Sequence, residues 1–238
     1  FGDGIVYIQI RDSVKTMPFI QLDIQHPDVS LAMWEVDEDE GYFRDRLNIY
    51  ENEEEILGKI SHPQKRLEWL SSRLCLKELL AIQHRVESLN EHTGKPYLSD
   101  FSYHISYSHS NMFSGAIASR VCPVSIDLED LSKKRNPDTA RLFMHPAELE
   151  HFRSSHDLQV FFLNWSAKET LYKIYARRGI AFKHNLRINP DFVDLQQCGT
   201  VKGIIETDEF KNTYDIHYHF YPGVLLTYTF DCPVPVRS

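Results

Sequence analysis

The sequence predicts an α+β protein of two similar lobes, each formed by a small antiparallel sheet and one long helix. Three observations support this fold class. Long segments of helical periodicity occupy residues 62–86 and 157–178. Short alternating segments typical of strands surround both helices. The chain then closes with three consecutive strand-like segments, as an antiparallel meander does. We place the lobes at residues 17–120 and 121–238.

The first half contains one long helix and three clear strand patterns. Residues 29–36, VSLAMWEV, alternate as in a half-buried strand. A start signal at Ser61-His-Pro precedes the helix of residues 62–86, whose leucines form an apolar face. A glycine turn follows at residues 93–96. The two further strands of this half are predicted at residues 103–110 and 112–120.

The second half repeats this architecture without visible sequence identity to the first. A short strand at residues 121–130 comes first, and helices are predicted at 137–153 and 157–178. The strands that follow are predicted at residues 181–188, 201–207, 214–221 and 224–231.

Composition restricts the class of protein. The 238 residues are 42% hydrophobic and 25% charged, as in an ordinary globular protein. No apolar run reaches the length of a membrane span, and the first residues do not form a secretory signal. The net charge of −8 argues against a general nucleic-acid binder, while a local basic site for a phosphorylated ligand remains compatible with it.

The cysteines and the N-terminus give two further expectations. The four cysteines are widely spaced and form no C-x-x-C pair, which favours reduced thiols in a cytoplasmic protein. Met17 followed by Pro18 is a candidate native start, so residues 1–16 receive little weight.

The segment LNWSAKETLYK, residues 163–173, places two charges on an aromatic side of a helix. At about 100° per residue, Glu169 and Lys173 lie on the same side as Trp165 and Tyr172. One interpretation is an ordinary ion pair between residues four apart, worth about 0.2–0.5 kcal/mol. The other is a half-buried carboxylate that needs a bound cation, and the aromatic surroundings favour it.

The segment VSIDLED supplies two more carboxylates. Asp127 and Glu129 are two residues apart in a strand and therefore share one face. They repel each other unless a cation lies between them, although a solvent-facing strand end is the ordinary alternative. With Glu169 they would complete an all-oxygen site suited to Mg²⁺.

Several short segments offer groups that could hold phosphate. These are the end of a strand with the sequence SHS, the glycine turn TGKP, and two arginines that are seven residues apart on the first long helix and so share a face. Each signal is weak alone, because a structural turn or a solvated stripe is the better explanation of it taken by itself. The residues are Ser108, His109, Lys95, Pro96, Arg66 and Arg73.

The order of these motifs resembles the Sfp-type 4′-phosphopantetheinyl transferase family. GKP, S-H-S, I-D-x-E and W-S-x-K-E-x-x-x-K follow one another with the spacing of that family, from the helix of Arg66 to residues 181–188. Ser125 departs from the pattern, since the family usually has glycine there, and we expect only a modest backbone adjustment. The resemblance implies a fold of two lobes related by a pseudo-two-fold axis, with the site between the lobes of a monomer.

The resemblance also implies a reaction and a role for each residue. The family transfers the phosphopantetheine arm of coenzyme A to a serine of an apo acyl or peptidyl carrier protein, releasing adenosine 3′,5′-bisphosphate. Asp127, Glu129 and Glu169 would hold Mg²⁺, and Lys173 would neutralise the pyrophosphate. Glu169, directly or through a bound water, is the candidate base. Coenzyme A would contact Arg66, Arg73, Lys95, Pro96, Ser108 and His109.

Two basic clusters, residues 133–135 and 177–178, are candidate borders of a docking surface for an acidic carrier protein. A solvated loop and a helix C-terminus explain them equally well. Two other functions remain open. One is a Mg²⁺-dependent enzyme acting on another nucleotide pyrophosphate, and the other is a non-catalytic relative that binds coenzyme A or a carrier protein.

Overall fold

The computed structural model describes residues 18–24, 26–82, 86–189 and 195–232, and the expectation for Met17 and residues 1–16 lies outside them. The fold is α+β, with a four-stranded and a five-stranded antiparallel sheet that each carry an 18-residue helix. In chain order the elements are β1 (Phe19–Leu22), β2 (Val29–Glu35), α1 (Glu40–Leu47), α2 (Glu51–Lys59), α3 (Pro63–Leu80), β3 (Ser88–Asn90), β4 (Pro96–Leu98), β5 (His104–Ser110), β6 (Phe113–Ser119), β7 (Val124–Asp130), a 3₁₀ turn (Pro137–Thr139), α4 (Ala140–Phe143), α5 (Pro146–Ser155), α6 (Leu158–Tyr175), α7 (Phe182–Asn185), β8 (Leu186–Ile188), β9 (Cys198–Glu206), β10 (Lys211–Tyr221) and β11 (Val224–Phe230).

The first sheet has the strand order β1-β2-β6-β5 and lies wholly before residue 120. Helix α3 packs Leu70 and Leu74 against it, together with Phe43 and Leu47 of α1, and all four side chains are fully buried. Burying a leucine or phenylalanine side chain contributes about 1.5–3 kcal/mol each, so this apolar layer fixes α3 on the sheet.

The second sheet has the order β7-β11-β10-β9-β8, and its last three long strands form the predicted meander. Helix α6 begins at the cap residue Asp157, whose Oδ1 accepts a hydrogen bond of 2.8 Å from the N–H of Gln159. It packs the apolar side chains of Ala167, Leu171 and Ile174 against this sheet.

The two sheets meet along their edge strands β5 and β7. The N–H of Ile126 donates to Ser106 Oγ at 3.4 Å, and the N–H of Leu128 donates to Ser108 Oγ at 3.0 Å. Serine hydroxyl groups thus accept hydrogen bonds from backbone N–H groups at the edge of β7, which would otherwise pair with a neighbouring strand. An apolar cluster lies beside this seam, made of Val29, Leu31, Met33, Ile117, Val124, Ile126, Leu128, Val224 and Leu226. The predicted lobe boundary at residue 120 falls just before β7.

Three predicted elements are wrong in part. The helix expected at residues 62–86 ends at Leu80, where Ala81 adopts the left-handed conformation with φ 49°. Residues 181–188 were expected to form one strand, but Phe182–Asn185 make a helical turn and only Leu186–Ile188 are extended. The cause is local hydrogen bonding, since Asn185 Oδ1 accepts from the N–H of Ala181 at 2.9 Å and competes with a strand ladder. The helix expected at 137–153 is divided before Pro146, because the residue preceding a proline avoids the helical conformation.

The cysteines also differ from the expectation. Cys122, just before β7, forms a disulfide with Cys232, just after β11, although the wide spacing favoured reduced thiols. Strands β7 and β11 are neighbours in the second sheet, so the fold brings together cysteines that are 110 residues apart. No helix in the described ranges is long and apolar enough to cross a bilayer.

Candidate active site

A cavity of about 870 Å³ lies between the two sheets and is lined by residues from both halves of the chain. This volume is at the upper end of the range for small-ligand sites. One wall comes from α3, β5 and the glycine turn, and the other from β7 and α6. All but one of the predicted site residues line it, namely Arg73, Lys95, Pro96, Ser108, His109, Asp127, Glu129, Glu169 and Lys173.

Helix α3 presents one polar face to the cavity. Lys65, Trp69, Ser72 and Arg73 line it, at the spacing that places residues on one side of a helix. The Arg73 guanidinium carbon lies 3.5 Å from the centre of the Trp69 ring, a cation–π contact that fixes the arginine against the wall. Sequence reasoning identified Arg73 and missed Lys65 and Trp69, which the same helical periodicity would have included.

The structure does not bring Arg66 to the cavity. Its Nε donates to Glu40 Oε2 at 2.8 Å, and its Nη1 donates to the carbonyl of Leu57 at 2.6 Å. The hydrogen bond from Arg66, assisted by Arg44, lowers the pKa of Glu40 to about 2. Arg66 therefore connects α3 with α1 and α2 and does not line the cavity.

The glycine turn and the end of β5 contribute the other predicted phosphate-binding groups. Gly94 has φ +92°, which glycine adopts at little cost, and it leads Lys95 and Pro96 along the cavity wall. Burial lowers the pKa of Lys95. His109 Nδ1 lies 3.2 Å from Glu68 Oε2, and burial lowers the pKa of this histidine as well. Glu68 was not predicted.

Asp127 is held by three donors. Its Oδ1 accepts from Lys173 Nζ at 2.8 Å and from Ser108 Oγ at 3.1 Å, and its Oδ2 accepts from Ser166 Oγ at 2.8 Å. Lys173 also donates to the carbonyl of Ile126 at 3.0 Å. In the structure, Lys173 therefore forms its ion pair with Asp127 of β7. It does not pair with Glu169, four residues earlier in the same helix.

Glu129 is held by two donors, one on each carboxylate oxygen. Trp165 Nε1 donates to Oε1 at 2.6 Å, and Arg135 Nη2 donates to Oε2 at 2.6 Å. Burial raises the pKa of Glu129, with a further rise from the negative charge of Asp127. Arg135 was predicted only as part of a docking surface, and its contact with Glu129 was missed.

Glu169 differs from the other two carboxylates, because it accepts no hydrogen bond from any residue that the structure describes. Burial raises its pKa to about 7, and the charge of Asp127 adds to the rise while Lys173 opposes it. A half-buried carboxyl group with this environment needs either a proton or a cation near neutral pH.

Within residues 18–24, 26–82, 86–189 and 195–232, no group of three or more histidine, cysteine, aspartate or glutamate side chains stands ready to hold a metal ion. Asp127 and Glu129 bond to protein donors instead. By donor type and charge, however, the three cavity carboxylates fit a hard cation such as Mg²⁺, which takes oxygen ligands. To bind Asp127 and Glu129, such an ion would have to displace protein donors from their carboxylate oxygens.

The remaining members of the W-S-x-K-E-x-x-x-K segment have structural contacts. Lys168 is fully buried, does not line the cavity and pairs with Glu148 at 2.6 Å. It also donates to the carbonyls of Phe143, Phe182 and Leu186, at 2.8, 3.2 and 2.8 Å. Lys168 thereby ties α6 to α4, α5, α7 and β8.

Ser125, the departure from the family pattern, is fully buried and bonds across the interface between β7 and α6. Its Oγ donates to the carbonyl of Thr170 at 2.7 Å. The hydroxyl thus adds a connection beside Glu169 that a glycine would lack.

The basic clusters lie at the cavity border. Arg177 lines the cavity, and Arg178 donates to the carbonyl of His92 in the loop that leads to the glycine turn. Lys133 and Lys134 are exposed on the loop that carries Arg135.

Comparison with known proteins gives two matches. Residues 123–229 match the model of the 4′-phosphopantetheinyl transferase superfamily. The chain is also similar to a protein named holo-[acyl-carrier-protein] synthase from Acholeplasma laidlawii (strain PG-8A), with 31% identity over 87 residues, covering 30% of this chain and 73% of the relative. Asp127, Glu129, Glu169 and Lys173 all lie within the matched family range, whereas α3, the glycine turn and β5 precede it.

Proposed function

Because the chain belongs to the 4′-phosphopantetheinyl transferase superfamily, we propose that it transfers the phosphopantetheine arm of coenzyme A to a serine of an apo acyl or peptidyl carrier protein. The serine oxygen attacks the phosphorus that bears pantetheine, and the bond from this phosphorus to the bridging oxygen breaks. Adenosine 3′,5′-bisphosphate leaves with that oxygen. The observation that carries the proposal is the meeting of the three carboxylates and Lys173 with a basic wall in one cavity.

The distribution of charge in the cavity supports a nucleotide pyrophosphate as substrate. Lys65, Arg73 and Lys95 lie on the wall formed by the first half of the chain. Asp127 and Glu169 lie on the wall formed by the second half. Cationic groups suit phosphate oxygens, and carboxylates suit a divalent cation that bridges to those oxygens. Since one chain supplies both walls, we propose that the enzyme acts as a monomer.

The metal that fits this proposal is Mg²⁺, held by Asp127, Glu129 and Glu169. When bound, it would neutralise the pyrophosphate and align it for displacement.

Lys173 and Glu169 have separate tasks in the transfer. Lys173 is anchored by Ile126 and Asp127 with its ammonium group at the cavity, where it can stabilise charge that develops on the leaving phosphate. Glu169 lines the cavity and accepts no hydrogen bond from the described residues, so its carboxylate is available to accept a proton. It is the proposed acceptor for the proton of the carrier serine.

The test is intact-protein mass spectrometry of an apo acyl carrier protein incubated with the enzyme, coenzyme A and Mg²⁺. We expect a gain of one phosphopantetheine arm per carrier, which EDTA prevents. A carrier with its acceptor serine changed to alanine is the control and should gain nothing. If several unrelated carriers gain no mass although coenzyme A binds the protein, transfer is the wrong function and a non-catalytic binder takes its place.

A further inference from the structure

Each carboxylate oxygen of Asp127 and Glu129 already has a partner within the protein. Lys173 and Ser108 hold one oxygen of Asp127, and Ser166 holds the other. Trp165 and Arg135 hold the two oxygens of Glu129. Two protein cations, Lys173 and Arg135, thus pair with Asp127 and Glu129.

The two donors to Glu129 differ in how firmly they are placed. The Trp165 ring packs against Phe143 and Phe182, with ring centres 5.1 and 5.6 Å apart, so its N–H is fixed on α6. Arg135 lies on the loop between β7 and the 3₁₀ turn, and its side chain is 31% exposed. Of these two donors, the arginine is the one that can leave without disturbing the core.

The contact of Arg135 with Glu129 is also incomplete. Only Nη2 donates to the carboxylate, at 2.6 Å, whereas a guanidinium can hold a carboxylate with two parallel hydrogen bonds. Its Nε is buried and has no hydrogen-bond partner within the described part of the chain. A single charged hydrogen bond beside an unsatisfied donor is easier to exchange than a paired fork.

We propose that Arg135 is a resident cation that leaves Glu129 when a divalent cation binds, and that it thereby sets the metal affinity of the site. This inference rests on the proposed function. Arg135 and a metal ion cannot both stay on Glu129 Oε2, because like charges at contact distance repel strongly where solvent is partly excluded. Lys173 stays in place, since the carbonyl of Ile126 also anchors it.

Metal binding to the purified protein, measured by titration calorimetry with Mg²⁺ and by electron paramagnetic resonance with Mn²⁺, tests this role. We expect Arg135→Gln to bind either ion about tenfold more tightly than the wild type, the equivalent of about 1.4 kcal/mol. Lys134→Gln is the matched control, because it removes the same charge from the same loop at an exposed position. It should change the affinity less than about twofold, the scale of an exposed charge.

Two further variants sharpen the test. Arg135→Lys keeps the charge and should keep an affinity near that of the wild type. Changing Arg135 to Gln in a Glu129→Gln background should have no further effect, because the competing contact is already gone. Equal shifts for Arg135→Gln and Lys134→Gln, or weaker binding by Arg135→Gln, would overturn the inference while leaving the metal site intact. If no form of the protein binds either ion, the metal role in the proposed function fails and this inference fails with it.

Discussion

Lys168 and Glu169 are neighbours in the sequence but face different surroundings from α6, and their environments differ completely. Lys168 is fully buried and meets one carboxylate and three carbonyls, so its charge and its hydrogen bonds are satisfied within the protein. Glu169 faces the cavity, and its pKa is raised because burial and neighbouring carboxylates oppose its charge. A buried charge whose hydrogen bonds and ion pair are complete has a structural role. A partly buried charge without a partner is typical of a functional site.

The largest expected effect is on the cavity side. Glu169→Gln should lower the rate of transfer by about 10³-fold, because it removes the proposed metal ligand and proton acceptor. Coenzyme A binding, and the urea midpoint at pH 4.5, should stay close to those of the wild type, since Glu169 makes no hydrogen bond that holds the described fold together. Single-turnover transfer to a carrier protein measures the rate, and normal transfer by this variant would exclude both roles.

A change at Lys168 should instead affect the stability of the protein. Lys168→Met leaves Glu148 buried without its cation and should lower the free energy of unfolding by about 3–5 kcal/mol. Urea denaturation measures this loss. Adding Glu148→Gln to that variant should restore part of it, because the amide removes the buried charge and keeps one oxygen that can accept from the N–H of His145 or of Ile188. A loss below about 1 kcal/mol, as for an exposed pair, would contradict the structural role.

The raised pKa of Glu169 predicts how stability depends on pH in the metal-free protein. The folded state holds the proton up to a pKa of about 7, above the ordinary value of 4.5, so protonation favours folding. This contribution is complete below pH 4.5 and is lost as the pH rises through 7. Relative to Glu169→Gln, the wild type should lose about 2 kcal/mol between pH 4.5 and 8, allowing for partial exposure. Urea titrations of both proteins in EDTA measure the difference, and parallel curves would contradict it.

Local spacing explains which site residues the sequence could predict. Asp127 with Glu129, and Glu169 with Lys173, are separated by intervals that a strand or a helix translates directly into a shared side. Helical periodicity puts Arg66 and Arg73 on one face of α3, and Arg73 is the one of these two that lines the cavity. These positions depend only on the element in which each residue lies.

Residues whose partners are distant in the sequence could not be predicted in this way. Arg66 turns away from the cavity because Glu40 in α1 holds it, and the polar segment of α1 and α2 shows no clear apolar periodicity. The structural role of Lys168 likewise depends on a residue in another helix, Glu148 of α5. The disulfide between Cys122 and Cys232 likewise depends on the pairing of β7 with β11, which spacing does not reveal.

The smallest expected effect is at Ser125 of β7, which contacts α6 next to Glu169. Its hydroxyl holds the carbonyl of Thr170, the residue that follows Glu169, so Ser125→Ala should cost about 1 kcal/mol of stability. Transfer should change by less than about twofold, because many buried apolar contacts also hold α6 on the second sheet. Denaturation and transfer assays on one preparation measure both quantities. A loss of transfer above about tenfold, with the predicted small change in stability, would instead make Ser125 a positioning residue for Glu169.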